Sequence, residues 1–572
     1  MKKKLSIKFL FAILFCAITF CSMAQQWDGL TIIAKRSSYS MSAVDTNGVV
    51  VKTWTFTPAQ GSNGYPVYMS QGGFIWRTVI VPSPPPGTPQ NGGTTGRLQK
   101  IDWAGNILWD WNFCSPQGIL HHDICIMPNG NILATAYDVR YTADIVASGC
   151  TSGATSIWSE RIIEIQPVGT NSANIVWEWK MWDHLVQNVN PLKNNYQTSI
   201  VNNPQLMNIN HGLGNIPDIV HMNGLDYYPI LDQITFSAHQ KAEIYVIDHS
   251  TTTAGAALHT GGNSGQGGDF LYRWGNPAVY SAVGPQVITP YGHDAHFIPD
   301  GLTNQGYLVE FNNGGQLSPA RSTVDRVNPP RSGYNYTVSL GSAFTPSSFT
   351  SRYVCTGYSS GWSSAEEYPN GNRLIDLAPS GIVYETNAAG TTLWSYNTGG
   401  LTPQAHRYTP CFITFAAPAQ PTISVSGASL VCTSAVTYQW YLDGNAIPTG
   451  TLQSYVPTAS GVYLIRITDI NACAFYYSDP NYFTYVVTGL SNLAKEVNRI
   501  EIFPNPGNGK FNLNLNGISG NFNVEVHSLN GQLLFADKNN LQIDLSEFSN
   551  GIYFIKVNTE KGSVNKKVVI VE

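Results

Sequence analysis

The chain has 572 residues, 12% of them charged and 12% aromatic, and carries a formal net charge of −5. That length implies two or more domains. The acid-leaning balance, with no basic patch to release counterions from phosphates, excludes nucleic acid as a partner.

In chain order, the first element reads as an export signal. Lys2, Lys3, Lys4 and Lys8 precede an apolar run from Phe9 to Phe20, and Ser22-Met23-Ala24 supplies the small residues of a cleavage site. The run is too short for a membrane span. Phe15 and Phe20 stand where a lipoprotein reading of Cys16 or Cys21 needs small residues. Removing residues 1–24 takes away four lysines and no acid, so −5 becomes −9. The mature chain has no later stretch fit to cross a membrane. Of nine cysteines, seven stay: Cys114, Cys125, Cys150, Cys355, Cys411, Cys432 and Cys473. None has CxxC spacing, so neither a zinc knuckle nor a redox motif is indicated. In an oxidising compartment some pair, and the odd count leaves at least one over.

Residues 25–415 read as β-structure. Runs such as Ile175-Val176-Trp177-Glu178-Trp179 and Glu243-Ile244-Tyr245-Val246-Ile247 cluster in strand fashion between Gly, Asn and Pro. One recurring theme is a turn followed by a short apolar strand, as in Pro128-Asn129-Gly130-Asn131-Ile132-Leu133 and Pro369-Asn370-Gly371-Asn372-Arg373-Leu374-Ile375. The other is an aromatic pair: Trp54/Phe56, Trp109/Trp111, Trp177/Trp179, Tyr272/Trp274 and Trp394/Tyr396. The themes alternate at roughly 50–60 residues, the length of a four-stranded propeller blade with long loops. Six units start near residues 29, 65, 121, 221, 293 and 365, the fifth without an aromatic pair. The expectation is an all-β chain that opens with a six-bladed β-propeller; a large sandwich or β-helix is the rival.

Residues 416–488 change character. Tyr438-Gln439-Trp440-Tyr441 with a turn at Asp443-Gly444, then Ser460-Gly461-Val462-Tyr463, resembles the immunoglobulin-like modules of secreted bacterial proteins. Cys432 and Cys473 flank these strands and are the expected disulfide, near a sandwich core. Residues 497–572 resemble the C-terminal type A sorting domain of the type IX secretion system of Bacteroidetes. The matching residues are Ile502-Phe503-Pro504-Asn505-Pro506, Asn530-Gly531-Gln532, Leu545, Gly551-Ile552-Tyr553 and Lys566-Lys567 before Val568-Val569-Ile570-Val571. The resemblance implies a small β-sandwich that serves as an outer-membrane export address. The expected localisation is secreted or cell-surface, with the type IX machinery as a partner.

Eleven of the twelve histidines lie between 121 and 406, several in polar clusters: His121-His122-Asp123, His221-Met222-Asn223, Ser237-Ala238-His239-Gln240 and His293-Asp294-Ala295-His296. Three of these clusters open proposed blades, whose first strand is innermost, so they are expected to converge. Imidazole and carboxylate are also ordinary metal ligands, but His121, His122, Asp123, His293 and His296 follow no ligand spacing, and no metal is assigned. A glycosidase needs two convergent carboxylates, for which Asp123 and Asp294 are available. No serine elbow or phosphate-cradling loop appears; the glycine-rich run at 261–268 lacks a Lys and reads as a loop between strands.

These motifs carry a resemblance. His121-His122-Asp123 with Pro128-Asn129-Gly130-Asn131, His221-Met222-Asn223 with Asp226-Tyr227, Leu231-Asp232-Gln233, Ile244 to Ser250, Gly261 to Gly265, Arg273-Trp274-Gly275-Asn276-Pro277, His293-Asp294-Ala295-His296 and Phe311-Asn312-Asn313-Gly314 resemble the arylsulfotransferase family. That resemblance covers most of residues 26–415. It implies transfer of a sulfuryl group from a phenolic sulfate ester to a phenolic acceptor, with no cofactor and without nucleotide-activated sulfate. It implies that His293 is the nucleophile, held as sulfohistidine, and that His122 (or His121) and His221 contact sulfate oxygens or exchange the phenol proton. Asn223, His121 and His296 are the expected substrate contacts. Two positions depart from the pattern: His239 stands where many relatives carry Arg, and Gly224 where they often carry Ser. Arg is a permanent planar cation and His is not, so a second reading stays open: a non-catalytic, surface-displayed binding or adhesion protein on the same scaffold.

Overall fold

The structure is a computed structural model that describes residues 25–214, 217–286, 292–485, 500–515, 520–529, 531–559 and 562–571. The export signal at residues 1–24 lies outside the described residues. The described chain falls into two compact units, one ending at Phe483 apart from residues 458–460, the other made of those three residues and 484–572.

Within the first unit, six antiparallel sheets follow one another. From inner to outer strand, the second sheet runs Asn63–Ser70, Phe74–Ile80, Gly96–Ile101, Ile107–Asn112. The third runs Gly118–Ile126, Ile132–Tyr141, Ser156–Val168, Ser172–Lys180, with Cys114–Ser115 added at its edge. The fourth is Met222–Tyr228, Gln233–Ala238, Glu243–Asp248, Phe270–Trp274. The fifth is Gly292–Phe297, Leu308–Asn312, Thr323–Val327, Ser351–Val354, and the sixth Ser364–Glu367, Arg373–Leu377, Ile382–Thr386, Thr392–Asn397. The first sheet is completed from both ends of this region: His406–Tyr408 pairs with Leu30–Ile33, which continues into Ser40–Val44 and Val50–Thr55. Joining the last strand to the first sheet closes a β-propeller and removes the free edges.

Two sets of bonds tie sheet to sheet. Near the axis, Tyr408 Oη accepts from Met69 N (2.9 Å), Tyr68 Oη donates to Asp123 Oδ1 (2.9 Å), and Asp123 Oδ2 accepts from Leu225 N (3.0 Å). Asp226, Asp294 and Glu366 then accept from Phe297 N (2.9 Å), Ala365 N (2.8 Å) and Arg407 N (3.0 Å). Every adjacent pair of sheets thus has an inner link. At the rim, the aromatic pairs fall on outer strands, and their indoles reach the following sheet. Trp54 Nε1 donates to Trp103 O (3.0 Å), Trp109 to Ser172 O (2.7 Å), Trp179 to Gly268 O (2.7 Å) and Trp274 to Pro346 O (2.8 Å). The aromatic recurrence is therefore packing between sheets, with a polar edge satisfied by the neighbour.

Residues 423–483 form two smaller sheets that share a core of Leu430, Cys432, Trp440, Tyr463, Ile465 and Ile467. This module sits on the propeller through Asp300, which accepts from Tyr441 Oη (2.7 Å) and pairs with Arg466, and through Tyr476 bonded to Gln71. The expected Cys432–Cys473 disulfide is corrected: Cys473 bonds Cys411. Cys411 lies in the short helix Pro410–Thr414 directly after the ring-closing strand, whereas Cys432 is a free thiol buried in the module core. The bond therefore staples module to propeller rather than strand to strand.

The second unit holds two sheets, of three and four strands, around Phe511, Val524, Val526, Ile555, Val557 and Val568. No helix among the described residues is long and apolar enough to cross a membrane.

Candidate active site

In four consecutive sheets the inner strand slips register against its neighbour, within Asn63–Val67, Leu120–Ile124, Met222–Gly224 and His293–His296. A bulge re-aims side chains that regular alternation would send elsewhere. Near three of these bulges a non-glycine residue takes the left-handed conformation: His122 (φ 45°), His221 (60°) and Asp294 (57°). His, Asn and Asp tolerate that region better than bulky side chains do. The result is a contiguous row of imidazoles. Ring centroids lie 4.5 Å apart for His122–His221, 4.9 Å for His221–His239 and 5.7 Å for His239–His293.

The partners of these rings fix their protons. His293 Nδ1 lies 2.7 Å from Asn313 Oδ1. The Asn313 amide nitrogen donates to Trp362 O (3.0 Å) and Ser359 O (3.2 Å), so its oxygen must accept, and Nδ1 of His293 carries the hydrogen. Nε2 keeps its lone pair and accepts from Trp362 N at 3.1 Å. Trp362 and Ser363 reach this position with φ of 53° and 88°, two left-handed residues in succession.

His121 is turned away from the row. Its Nε2 lies 2.9 Å from Glu160 Oε2 and its Nδ1 2.9 Å from His122 Nδ1, while its ring stacks on Tyr137. Burial, aided by the Asp218 charge, raises Glu160 well above the usual carboxyl range, and burial pushes His121 down to about 4. Both are therefore neutral. The donor order that satisfies them runs from the Glu160 hydroxyl to His121 Nε2, then from His121 Nδ1–H to His122 Nδ1. His122 is left with its hydrogen on Nε2. Burial, and after it the charges of His221, His121, His293 and Arg36, holds His122 well below the ordinary imidazole range.

His221 Nδ1 meets Asp218 Oδ2 at 2.6 Å. Burial alone would raise Asp218; the hydrogen bond from His221 overrides it and leaves the carboxylate below its usual range. His239, in the turn after Gln233–Ala238, is pushed down to about 3 by burial and then by His221 and His293. It is neutral, not a cation. Gly93 and Gly224 permit the close packing: a Cβ on Gly93 would sit 2.0 Å from His122 Nε2, and one on Gly224 2.5 Å from Ala295 N. The serine many relatives carry at the latter position does not fit this packing.

Other expected residues stand apart. Asn223 is fully buried; its amide donates to Gly292 O (2.8 Å) and its oxygen accepts from Ser237 Oγ (2.7 Å), so it braces the strand that presents His293. His296 bonds Asp294 O through Nδ1 (2.8 Å) and lines a separate cavity of about 450 Å³ with Asp123, Asp294, His406, Phe412 and Phe475. None of His122, His221, His239 or His293 lines that cavity. Asp123 and Asp294 are committed to backbone N–H groups of the next sheet, which does not suit a glycosidase pair. Among the described residues, the His/Cys/Asp/Glu group with metal-ligand spacing is His184, His259 and Asp269, not the set weighed from the sequence. Glu160, Asp218 and Trp362 were missed by sequence reasoning, and no motif marks them; Asn313 stood in the Phe311–Gly314 motif without a role assigned to it.

Residues 21–406 match the family model described as Arylsulfotransferase (ASST). The chain belongs to the arylsulfotransferase family. Residues 501–571 match the Secretion system C-terminal sorting domain, which makes this a protein addressed for secretion or the cell surface. No curated protein matches. Among solved structures, a protein of unknown function from Bacteroides caccae is 9% identical, with 67% of this chain and 99% of that one covered and a TM-score of 0.36. A periplasmic gluconolactonase of Pseudomonas aeruginosa is 12% identical, covering 66% and 98% with a TM-score of 0.34. Virginiamycin B lyase of Staphylococcus aureus is 12% identical, covering 71% and 92% with a TM-score of 0.30. At these scores they carry no argument about activity.

Proposed function

We propose that the protein is an exported aryl-sulfate sulfotransferase that carries the sulfuryl group on His293 Nε2. The observation behind this reading is the fixed tautomer of His293, with Nδ1–H committed to Asn313 and the ring next to His239 at the end of the imidazole row. A neutral imidazole attacks without first losing a proton. The N–S bond forms as the aryl O–S bond breaks, and the phenolate departs with the electron pair. His122 Nε2–H then supplies its proton while His121 Nδ1–H passes to His122 Nδ1 and the Glu160 hydroxyl proton to His121 Nε2. The negative charge thus ends on the Glu160 carboxylate, and the relay reverses in the second half-cycle. The acceptor phenol attacks the N-sulfo group, the N–S pair returns to His293, and the phenol proton goes back to His122, so the cycle has no net proton change. Trp362 N–H occupies the attacking lone pair at rest; substrate has to displace it, which frees that donor for a sulfuryl oxygen.

An export address and an aryl ester donor agree, because the chain has no nucleotide-cradling motif and nucleotide-activated sulfate is a cytoplasmic donor. The test uses the purified full chain with an aryl sulfate and a phenol. His293→Asn is expected to lower turnover by roughly 10³-fold or more and to abolish acid-labile sulfate on the protein. Undiminished turnover would sink the assignment.

A further inference from the structure

The imidazole row lacks a permanent positive charge, since His239 is the residue that replaces the family arginine. The structure holds a guanidinium elsewhere at the same site. Because His406–Tyr408 is the inner strand of the first sheet, Leu30–Ile33 is its second strand and Ser40–Val44 its third. Arg36 lies in the turn between them. His239 lies in the turn between the second and third strands of the fourth sheet. The two residues hold the same topological place in sheets three steps apart around the ring.

Arg36 is tied to both walls of His122. Its Nη1 donates to Gly64 O (3.2 Å) and its Nη2 to Thr94 O (3.4 Å). The residue after Gly64 is Tyr65, whose ring meets His122 edge-on at 4.9 Å. The residue before Thr94 is Gly93, which touches the His122 ring and accepts its backbone N–H at 2.7 Å. Among the described residues no carboxylate pairs with Arg36, whereas the buried Arg273 and Arg407 each have one. Two long bonds to carbonyls leave the guanidinium charge unneutralised.

Tyr65 adds an independent observation. It is 1% exposed, it sits in the bulge of the second sheet that corresponds to those presenting His122 and His293, and its hydroxyl has no hydrogen-bond partner among the described residues. A buried hydroxyl is ordinarily bonded; this one needs a partner that the described residues do not supply.

We propose that Arg36 and Tyr65 form the anion-binding corner of the site, with Arg36 supplying across the ring the fixed cation absent at His239, so that the substrate is an anionic sulfate ester gripped between Arg36 and His293. A planar, always-charged guanidinium suits the tetrahedral oxyanion better than a neutral imidazole does. This proposal rests on the sulfotransferase reading.

The experiment uses the full chain with para-nitrophenyl sulfate and a phenol, together with thermal stabilisation by inorganic sulfate, which needs no turnover. Arg36→Gln is expected to raise KM about 10- to 100-fold and to remove the sulfate-dependent rise in Tm. Tyr65→Phe should raise KM about 3- to 10-fold. The discriminating variant is Arg36→Gln with His239→Arg, which should regain most of the lost activity; a merely structural Arg36 would not be rescued from the opposite sheet. If Arg36→Gln does not fold, Arg36→Lys and Tyr65→Phe carry the test. Unchanged KM and sulfate stabilisation in these variants, or a double variant no better than Arg36→Gln, overturns the proposal. A wild-type chain that is stabilised by sulfate through Arg36 yet transfers nothing would overturn the transferase reading instead and leave the corner standing.

Discussion

The histidine row and the carboxyl hub are built from neighbouring residues of the same strands. His122 precedes Asp123, and His293 precedes Asp294. Both layers are buried, and both carry groups shifted toward neutrality. Their bonding differs. Asp123, Asp226, Asp294 and Glu366 each accept a backbone N–H from the next sheet, so their acceptors are used by the fold. In the row, His122, His221 and His293 are instead bonded at Nδ1 by the side chains of His121, Asp218 and Asn313. One residue of offset, made possible by a bulge, separates a structural hub from the histidine row proposed to carry the chemistry. Polarity and burial do not tell the two apart; the identity of the hydrogen-bond partner does.

The sharpest break of that comparison after His293→Asn is Asn313→Ala. Losing the tautomer lock should lower kcat roughly 100-fold with KM little changed; a pure KM effect would show that Asn313 holds substrate rather than the imidazole. In the hub, Asp123→Asn keeps an acceptor and removes a charge, so turnover should fall no more than about 3-fold. A loss as large as that of Asn313→Ala would merge the two layers.

The layers should also separate on the pH axis. Burial raises Asp123 and Glu366 to about 7. Between the unfolded carboxyl range near 4 and that value the folded state binds the proton and the unfolded state does not, so stability falls as pH rises through the window. Asp123→Asn should flatten this slope in a plot of Tm against pH. The row runs the other way: His122 and His239 are held below the ordinary imidazole range, so their neutral forms, and with them turnover, should persist below pH 6.5. A smaller effect is expected at His249, raised to about 9 by Asp232 and Glu164 against the pull of burial. Its contribution is full below the unfolded value near 6.5 and lost as pH rises through 9, and His249→Gln should erase that loss in the same measurement.

Much of the site was legible because chemistry bunches: four histidine clusters stood out against a chain with few charges. What bonds them was not. Glu160 and Asp218 reach His121 and His221 from 39 and 3 residues away, and Asn313 reaches His293 from 20; no spacing rule links such pairs before the strands are paired. Asp123 and Asp294 read equally well as acids or as braces until their backbone donors are known. Cys473 was matched with Cys432 by proximity to a Trp strand, whereas its partner is set by ring closure, which carries Cys411 beside it. Arg36 was silent for the same reason: its place in the turn acquires meaning only when a strand from residue 406 takes the inner position of the first sheet. The aromatic pairs were visible as a repeat, but their indole bonds to the following sheet needed the order of the sheets.

That rim of indole bonds does not extend to the joint that closes the ring. Trp394, on the outer strand of the sixth sheet, is buried with its ring nitrogen unpartnered among the described residues. There the Arg407 guanidinium lies over the indole at 4.6 Å and pairs with Glu385, both side chains fully buried. The closing joint thus replaces an indole hydrogen bond with a buried ionic clasp, located where the two ends of the propeller meet. The strength with which the ring is closed is therefore set by a charge pair between two fully buried side chains.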